Sequence, residues 1–373
     1  MKIIVAFDSF KSSLSAARAC NIVAHVLRDK LKDVTVIEKP LADGGEGTAA
    51  AIIAATDGQW IEKQVTGPLP HMKVNAGYAW LPNQKNAVVE MASASGLELL
   101  SPDKYNPMLT TTYGTGELIK AALEKNPDRI LLAVGGSATV DGGIGAATAL
   151  GFKFLDTNNH PVTPDGGHLL DIQKIIPPQL NDLPEIDVLC DATNPLTGPN
   201  GAARTYAPQK GATPKMVEVL EKGLEHLAKI VRKQLGIEID VPHAGAAGGL
   251  AAGAIAFMNA KCVSGIQTIL EAMNMTTEIQ DADLIITGEG SFDSQSLSGK
   301  AISGLANLAK DHNVPLAVIA GTISIEKQQY QPLGIHHAIA CKPHDMPLDQ
   351  AMANAPALIA QAAAKLAEII NTK

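Results

Sequence analysis

The chain has 373 residues, of which 46% are hydrophobic and 18% are charged, so it can bury a large core and intrinsic disorder is not expected. Its net charge of −8 and its aromatic content of 3% argue against a nucleic-acid partner, bound either through bulk positive charge or through a stacking surface. At roughly 100–200 residues per domain, the length suggests about two domains.

Three features of the sequence indicate the cellular compartment. The N-terminal segment has only five consecutive apolar residues after its lysine, which is too short for a signal peptide. The longest apolar stretch, residues 244–258, is shorter than the roughly 20 residues of a membrane-spanning helix. The four cysteines lie far apart with no CxxC pair, so neither structural zinc nor a disulfide scaffold is expected. We therefore expect a cytoplasmic protein with no membrane partner.

The first part of the chain predicts strands that alternate with helices. In chain order it reads as a strand at 3–7, a helix at 16–31 capped by Ser13 or Ser15, a strand at 34–37, a glycine-rich loop at 43–47 and a helix at 48–56. The continuous apolar run of the first strand is typical of a strand buried on both faces of a parallel sheet.

The middle of the chain has a different pattern. Residues 72–92 alternate polar and apolar side chains, which predicts an antiparallel pair of strands. Long glycine-rich loops follow, and residues 187–190 form one further strand-like run.

The C-terminal part returns to alternating strands and helices. It predicts strands at 283–287, 316–320 and 338–341, a helix from about 300 to 311, and a last helix at 348–370 that Pro356 is expected to kink. Together the patterns predict an α/β fold in which a doubly wound, flavodoxin- or Rossmann-like parallel-sheet domain (residues 1–65 plus 282–373) carries an inserted α/β domain with antiparallel elements (66–281). The active site is expected in the cleft between the two domains.

Five segments that follow strand-like runs carry acids, hydroxyls or a lysine, and three of them are also rich in glycine. They are residues 8–11, 43–47, 135–143, 190–194 and 288–293. In open α/β sheets, ligands bind beyond the carboxyl ends of the strands, where glycines let backbone amides approach a phosphate. Carboxylates at the same edge suit Mg²⁺, which takes a few oxygen ligands and keeps water and nucleotide phosphates for the rest. This combination favours phosphoryl transfer.

The common nucleotide fingerprints are absent. GxxxxGK[ST] does not occur, and Gly143-Ile144-Gly145 is not completed to GxGxxG. The missing GxGxxG disfavours a nicotinamide dehydrogenase. A non-catalytic small-ligand-binding protein of two α/β domains remains an alternative, although acid-rich glycine loops are unusual for it.

The chain resembles the bacterial glycerate kinase family, the class without a P-loop. The motifs that carry the resemblance span almost its whole length: FDSFKSSLSA (7–16), LADGGEGT (41–48), GGSATVDGGIGAA (135–147), CDATNPLTGPNGAARTYAPQKGA (190–212) and TGEGSFDSQSLSGKA (287–301). The resemblance implies Mg²⁺- and ATP-dependent phosphorylation of D-glycerate at the 2-hydroxyl. Phosphorylation of the 3-hydroxyl, or of a related small hydroxy acid, stays open. Val140, Ser291 and Ile302 depart from the family pattern, and the oligomeric state is not predicted.

Residue types and resemblance together suggest roles for the polar residues of these motifs. The candidate catalytic residues are Asp8, Lys11 and Asp191, with Asp191 a candidate general base. The candidates for substrate or phosphate binding are Ser9, Gly136, Ser137, Thr139, Asp141, Arg204 and Lys210. The candidates for nucleotide binding are Gly288, Glu289, Gly290, Asp293 and Lys300, and those for Mg²⁺ are Asp43 and Glu46. Which acid is the base and which hold Mg²⁺ stays open at this stage.

Overall fold

The computed structural model describes residues 1–11, 13–42, 44–45, 47–179, 183–297 and 301–371. The chain divides into two compact units. Unit 1 comprises Met1–Asp43, Ala50–Asp57 and Ile266–Lys373, and unit 2 comprises Gly44–Ala49 and Gly58–Gly265.

The strands form the sheets of both units. They are β1 (Lys2–Phe7), β2 (Thr35–Glu38), β3 (Gln59–Thr66), β4 (Lys73–Leu81), β5 (Asn86–Glu90), β6 (Arg129–Ala133), β7 (Lys153–Leu155), β8 (Lys174–Ile176), β9 (Glu185–Leu189), β10 (Lys261–Val263), β11 (Leu284–Gly288), β12 (Ser291–Phe292), β13 (Leu316–Ala320), β14 (Thr322–Ile323) and β15 (Ile335–Ala340).

The helices connect and cover these strands. They are α1 (Ala16–Lys30), α2 (Thr48–Ala55), α3 (Ala92–Ser95), α4 (Tyr113–Leu123), α5 (Ile144–Ala149), α6 (Ala202–Tyr206), α7 (Pro214–Leu235), α8 (Ala246–Met258), α9 (Gly265–Ala272), α10 (Met275–Ile279), α11 (Ala301–Asp311), α12 (Lys327–Tyr330), α13 (Leu348–Ala353) and α14 (Ala355–Asn371). Short 3₁₀ turns lie at Leu97–Leu99, Pro102–Lys104, Gly166–Asp171, Pro208–Lys210, Ser294–Leu297 and Gln331–Leu333.

Unit 1 is built on a five-stranded sheet in the order β2-β1-β11-β13-β15, in which every neighbouring pair is parallel. Ile3, Val5 and Phe7 point to one face and pack with α1 and α14 in a shared core. The intervening Ile4 and Ala6 point to the other face and are also fully buried. Burial of both faces explains why β1 reads as a continuous apolar run.

Unit 2 is built on a six-stranded mixed sheet in the order β10-β9-β6-β5-β4-β3. β5, β6, β9 and β10 are parallel neighbours, whereas β3, β4 and β5 pair antiparallel. The polar and apolar alternation at 72–92 therefore correctly predicted the β4–β5 hairpin. Helices α4, α5, α7 and α8 contribute buried residues to one core with this sheet.

The predicted α/β fold class with a parallel doubly wound sheet is confirmed. The unit boundaries fall at 57/58 and 265/266 rather than at the expected 65/66 and 281/282. β3 belongs to unit 2 because it pairs along its whole length with β4. No sequence pattern had singled out β3 or the 22-residue helix α7.

The last predicted helix is two helices. α13 ends at Ala353, and α14 begins at Ala355, so that Pro356 occupies its first turn. Proline is tolerated there because the first-turn amides have no intrahelical acceptor. The expected kink is therefore a break placed before the proline. Within the described residues, no helix is long and apolar enough to cross a membrane.

Candidate functional site

A cavity of about 660 Å³ opens at the carboxyl ends of the unit 1 strands, and we call it the strand-end cavity. Its polar lining comes from the loops after β1, β11, β13 and β15: Asp8, Ser9, Lys11, Ser13, Glu289, Gly290, Ser291, Asp293, Gly321, Thr322, Cys341 and Lys342. The chain runs from β1 outward to β2 and then back to β11 on the other side, so β1 and β11 form the topological switch point. Ligands of open α/β sheets bind at that point, and this cavity has the size of a small-molecule site.

A tight turn positions Lys11. Phe10 and Leu14 are buried and exchange backbone hydrogen bonds of 2.9 Å in both directions, which closes the turn that contains Lys11 and Ser13. The Asp8 amide donates to the Gly288 carbonyl at 2.9 Å, which ties the start of this loop to the end of β11. Lys11 is exposed and lines the cavity beside these strand ends.

The two glycines at the end of β11 and just after it, Gly288 and Gly290, have different structural roles. A Cβ at Gly288 would collide with the Ile319 carbonyl, so this glycine is needed for close packing of β11 on β13. Gly290 lines the cavity, and a Cβ there would approach only the Phe10 backbone, at 3.9 Å. Of the predicted nucleotide-binding residues, Glu289, Gly290 and Asp293 therefore border the cavity, whereas Gly288 packs within the sheet. Lys300 lies outside the described residues.

One wall of the strand-end cavity is apolar. α13 and α14 supply it, and we call it the α13–α14 wall: Leu348, Ala351, Met352, Ala355, Leu358 and Ile359. The Ser13 hydroxyl donates to the Met352 carbonyl at 2.9 Å and so attaches this wall to the loop after β1. The cavity thus combines charged groups at the strand ends with a hydrocarbon surface.

In unit 2, several of the motif residues lie where the parallel strands end. Glu90 ends β5, Gly135 and Gly136 follow β6, Asp191 follows β9 and Ser264 follows β10, and we call this the unit 2 edge. Gly45 lies against this edge, because a Cβ at Gly135 would meet its Cα at 2.6 Å. Asp43 and Glu46, the predicted metal ligands beside it, lie outside the described residues.

Lys210 is buried behind the loop that follows β6, with 2% of its surface exposed. Its ammonium donates to the Ser137 hydroxyl at 2.6 Å and to the Thr139 carbonyl at 2.7 Å. Burial lowers the pKa of Lys210 to about 7, and the charge of Asp141 opposes that decrease. Lys210 therefore holds the loop from inside.

Asp141, which the sequence predicts to bind substrate or phosphate, lies farther along the same loop. Its carboxylate is fully buried and accepts hydrogen bonds from the amides of Thr112, Gly143 and Gly145 and from the Thr112 hydroxyl, at 2.8–3.3 Å. Burial raises the pKa of this carboxyl, and these hydrogen bonds oppose the rise. The network joins the start of α4 to the start of α5.

Two other predicted residues lie at the surface of unit 2. Asp191 is exposed, and its carboxylate accepts hydrogen bonds from the Ser264 hydroxyl and the Gly265 amide, both at 3.1 Å. Arg204 makes a bidentate ion pair with Glu218, at 2.7 and 3.2 Å.

Thr139 is fully buried, and its hydroxyl has no hydrogen-bond partner among the described residues.

Comparison with known proteins identifies the family. The sequence model of the Glycerate kinase family matches residues 3–371. The chain is 42% identical to a Bacillus subtilis protein named glycerate kinase, over 99% of this chain and 98% of the relative, and 45% identical to an Escherichia coli glycerate 2-kinase, over 87% and 86%. A crystal structure from Salmonella typhimurium LT2, assigned as glycerate kinase 2, superposes with a TM-score of 0.89 at 38% identity and covers 100% of this chain and 98% of that one.

The chain belongs to the glycerate kinase family.

The structure locates the three positions that depart from the glycerate kinase pattern. Val140 and Ile302 are fully buried apolar residues. Ser291 lines the strand-end cavity, and its hydroxyl lies 3.3 Å from that of Thr322 and 3.4 Å from a carboxylate oxygen of Asp293. Only this last departure lies where it can meet a ligand.

Three separate carboxylates line the strand-end cavity of this glycerate kinase. Within the described residues, no group of three or more histidines, cysteines or acids is arranged to hold a metal ion. Asp8, Glu289 and Asp293 nevertheless line one cavity. That set fits Mg²⁺ in its usual mode with nucleotides, in which one or two carboxylates and the substrate phosphates share the ion, and it does not resemble an all-protein cage.

Part of the strand-end cavity was not predicted from the sequence. Lys342 and Thr322 follow β15 and β13, the same position beyond a parallel strand that singled out Asp8 and Glu289. Both strands were predicted, so the position of these two residues just beyond a parallel strand was enough to identify them. The residues of the α13–α14 wall were predicted only as part of a last helix at 348–370.

Proposed function

We propose that this glycerate kinase transfers the γ-phosphoryl group of Mg·ATP to the 2-hydroxyl of D-glycerate, giving 2-phosphoglycerate and ADP. The observation that carries the proposal is the strand-end cavity, where Asp8, Lys11 and Glu289 meet at the switch point of the unit 1 sheet. Phosphoryl transfer depends on positioning and on neutralising phosphate charge, and a lysine beside carboxylates at strand ends provides both.

In this proposal the strand-end cavity binds the phosphoryl donor. Lys11 and Lys342 neutralise phosphate oxygens, and the Gly290 backbone allows close approach because it carries no side chain. Asp8, Glu289 and Asp293 are the residues that would hold Mg²⁺. When bound, Mg²⁺ would neutralise the charge that develops on the transferring phosphoryl group.

The unit 2 edge is proposed to bind the acceptor. Gly136 and Ser137 lie in the loop after β6, and Lys210 holds that loop in place by hydrogen bonds from its buried side. Asp191 is exposed at the end of β9, so its carboxylate is available to accept the hydroxyl proton as the phosphoryl group moves. The hydrogen bonds from Ser264 and Gly265 orient that carboxylate.

The 2-position is supported by the name of the Escherichia coli relative, which is 45% identical over most of this chain. The nearest competing activity is phosphorylation at the 3-hydroxyl. The two products differ in which carbon carries the phosphate, and ³¹P NMR separates them.

The experiment is a ³¹P NMR spectrum of the enzyme with Mg·ATP and D-glycerate, beside a control with Mg·ATP alone. We expect 2-phosphoglycerate to form together with ADP, and neither to form in the control. A 3-phosphoglycerate signal would keep the kinase but contradict the acceptor position. Folded protein that makes no ADP in a glycerate-dependent manner would overturn the proposal.

A further inference from the structure

The α13–α14 wall has no counterpart in the chemistry of glycerate. Every carbon of glycerate carries oxygen, so the acceptor has no hydrocarbon surface to bury. The wall, in contrast, consists of six aliphatic or thioether side chains facing one cavity. Leu348 is 64% exposed although it is apolar, so a ligand in the cavity can reach it.

The position of the wall fixes the orientation of the ligand that would cover it. The cationic side chains of Lys11 and Lys342 belong to the strand-end side of the same cavity. The bond from Ser13 to the Met352 carbonyl keeps the wall attached to the loop that carries Lys11. A molecule that is anionic at one end and flat and apolar at the other matches both surfaces, and a nucleoside triphosphate has these properties.

We infer that the α13–α14 wall holds the base of the phosphoryl donor by apolar contact, so that the enzyme accepts purine nucleotides with little discrimination between adenine and guanine. This inference rests on the proposed function in that it assumes a nucleotide donor.

The side chains of the wall explain the low discrimination. Adenine and guanine differ in the hydrogen-bonding groups at their edges, and a site selects between them by pairing with those groups. None of the six wall side chains has a strong hydrogen-bond donor or acceptor. Apolar pockets separate similar ligands only about 10–200-fold, whereas sites that hydrogen-bond a ligand edge reach about 10⁴–10⁵-fold.

The test measures binding by calorimetry with three probes: ADP, GDP and inorganic tripolyphosphate, which has no base. The variant is Leu348→Glu, chosen because an exposed side chain contributes little to folding. Met352→Glu is the second variant, and the matched control is Ala353→Glu, which puts the same charge on an exposed position of α13 outside the cavity lining.

In the wild type we expect the dissociation constants of ADP and GDP to agree within about tenfold. Leu348→Glu and Met352→Glu should weaken ADP and GDP binding at least tenfold, about the effect of losing one apolar contact. Tripolyphosphate binding should stay unchanged in both, and Ala353→Glu should behave as the wild type. Tripolyphosphate excludes a purely electrostatic effect of the new carboxylate on the phosphates.

Three results would overturn the inference. They are unchanged ADP binding in both wall variants, equal weakening of ADP and tripolyphosphate, and GDP binding more than about 100-fold weaker than ADP in the wild type. These results are separate from the proposed function. Protein that binds ADP as expected but does not phosphorylate glycerate would contradict that function alone, and glycerate kinase activity with unaffected wall variants would contradict the inference alone.

Discussion

Burial of the Lys210 ammonium makes the stability of unit 2 depend on pH. Its pKa is lowered by burial from 10.5 to about 7, so between these values the unfolded chain binds more protons than the folded one. The free energy of unfolding must therefore rise with pH across this window and reach its full value above the unfolded pKa. Burial raises the pKa values of the four cysteine thiols above 9.0. These thiols make the free energy of unfolding fall with pH, but only at higher pH.

We predict that Lys210→Met abolishes this slope. Between pH 7 and about 8.5, the free energy of unfolding of the wild type should rise by about 1–2 kcal/mol relative to that of the variant. Urea unfolding at several pH values measures the difference. Lys215→Met, at an exposed position near the start of α7, is the control and should follow the wild type. Parallel curves for wild type and Lys210→Met would show that Lys210 titrates normally in the folded protein.

Residue roles were the hardest feature to predict from sequence. Asp141 and Asp191 both lie in loops after strand-like runs, and their places in the chain do not show which of them is buried. In the structure, Asp141 is saturated by four hydrogen bonds inside the core, whereas Asp191 is exposed at a strand end. The difference depends on Thr112, which is 29 residues from Asp141 in the chain and completes its network.

At the scale of elements, the start of α8 has an unusual backbone. Ala247, Gly248 and Gly249 all have positive φ, at 54°, 65° and 88°, inside a segment that is otherwise helical. The kink lets Gly248 pack against the loop after β6: its carbonyl accepts from the Gly142 amide at 3.1 Å, and a Cβ there would collide with the Thr139 carbonyl. The Thr139 carbonyl also accepts a hydrogen bond from the Lys210 ammonium.

We predict that Gly248→Ala destabilises the protein by roughly 2–5 kcal/mol, because left-handed strain adds to overpacking. The control is Gly236→Ala at the end of α7, which has φ of 73° but nothing within 4 Å of the added Cβ. Strain acts alone there, so the cost should be roughly 1–2 kcal/mol. Denaturant unfolding of both variants gives the comparison. Equal costs would mean that the Thr139 loop moves aside, and it would then be too adaptable for the anchoring role assigned to Lys210.

Element positions followed from sequence wherever an apolar run or an alternation was strong. β1, β11 and β13 were predicted within about one residue because strands buried on both faces show continuous apolar runs. The β4–β5 pair was predicted from its period of two. β3 was not predicted, since only its last two residues, Val65 and Thr66, are buried and its exposed side chains leave little apolar signal.

For the whole molecule, the fold class could be predicted because alternating strands and helices restrict the topology. The unit boundaries could not be, since the chain passes between units at the glycine loop 44–49 and inside α2 and α9, where neither composition nor periodicity changes sharply. The two groups of site residues consequently belong to different units: Asp8, Lys11 and Glu289 to unit 1, Ser137 and Asp191 to unit 2.

This distribution predicts that each substrate protects a different unit from hydrogen exchange. A ligand slows exchange by stabilising the folded state at the segments it covers. ADP alone should slow exchange in residues 8–14, 289–293 and 348–359, all in unit 1. D-Glycerate alone should slow exchange in residues 135–139 and 190–194 of unit 2.

Hydrogen-exchange mass spectrometry measures both patterns, with acetate at the same ionic strength as the control for the anion. Acetate should protect neither set, because it lacks the hydroxyl that Asp191 is proposed to bind. Glycerate protection confined to unit 1 would remove Ser137 and Asp191 from the acceptor site and leave the unit 2 edge a structural role. ADP protection confined to unit 2 would remove the strand-end cavity from nucleotide binding, and with it the assignment of Lys11.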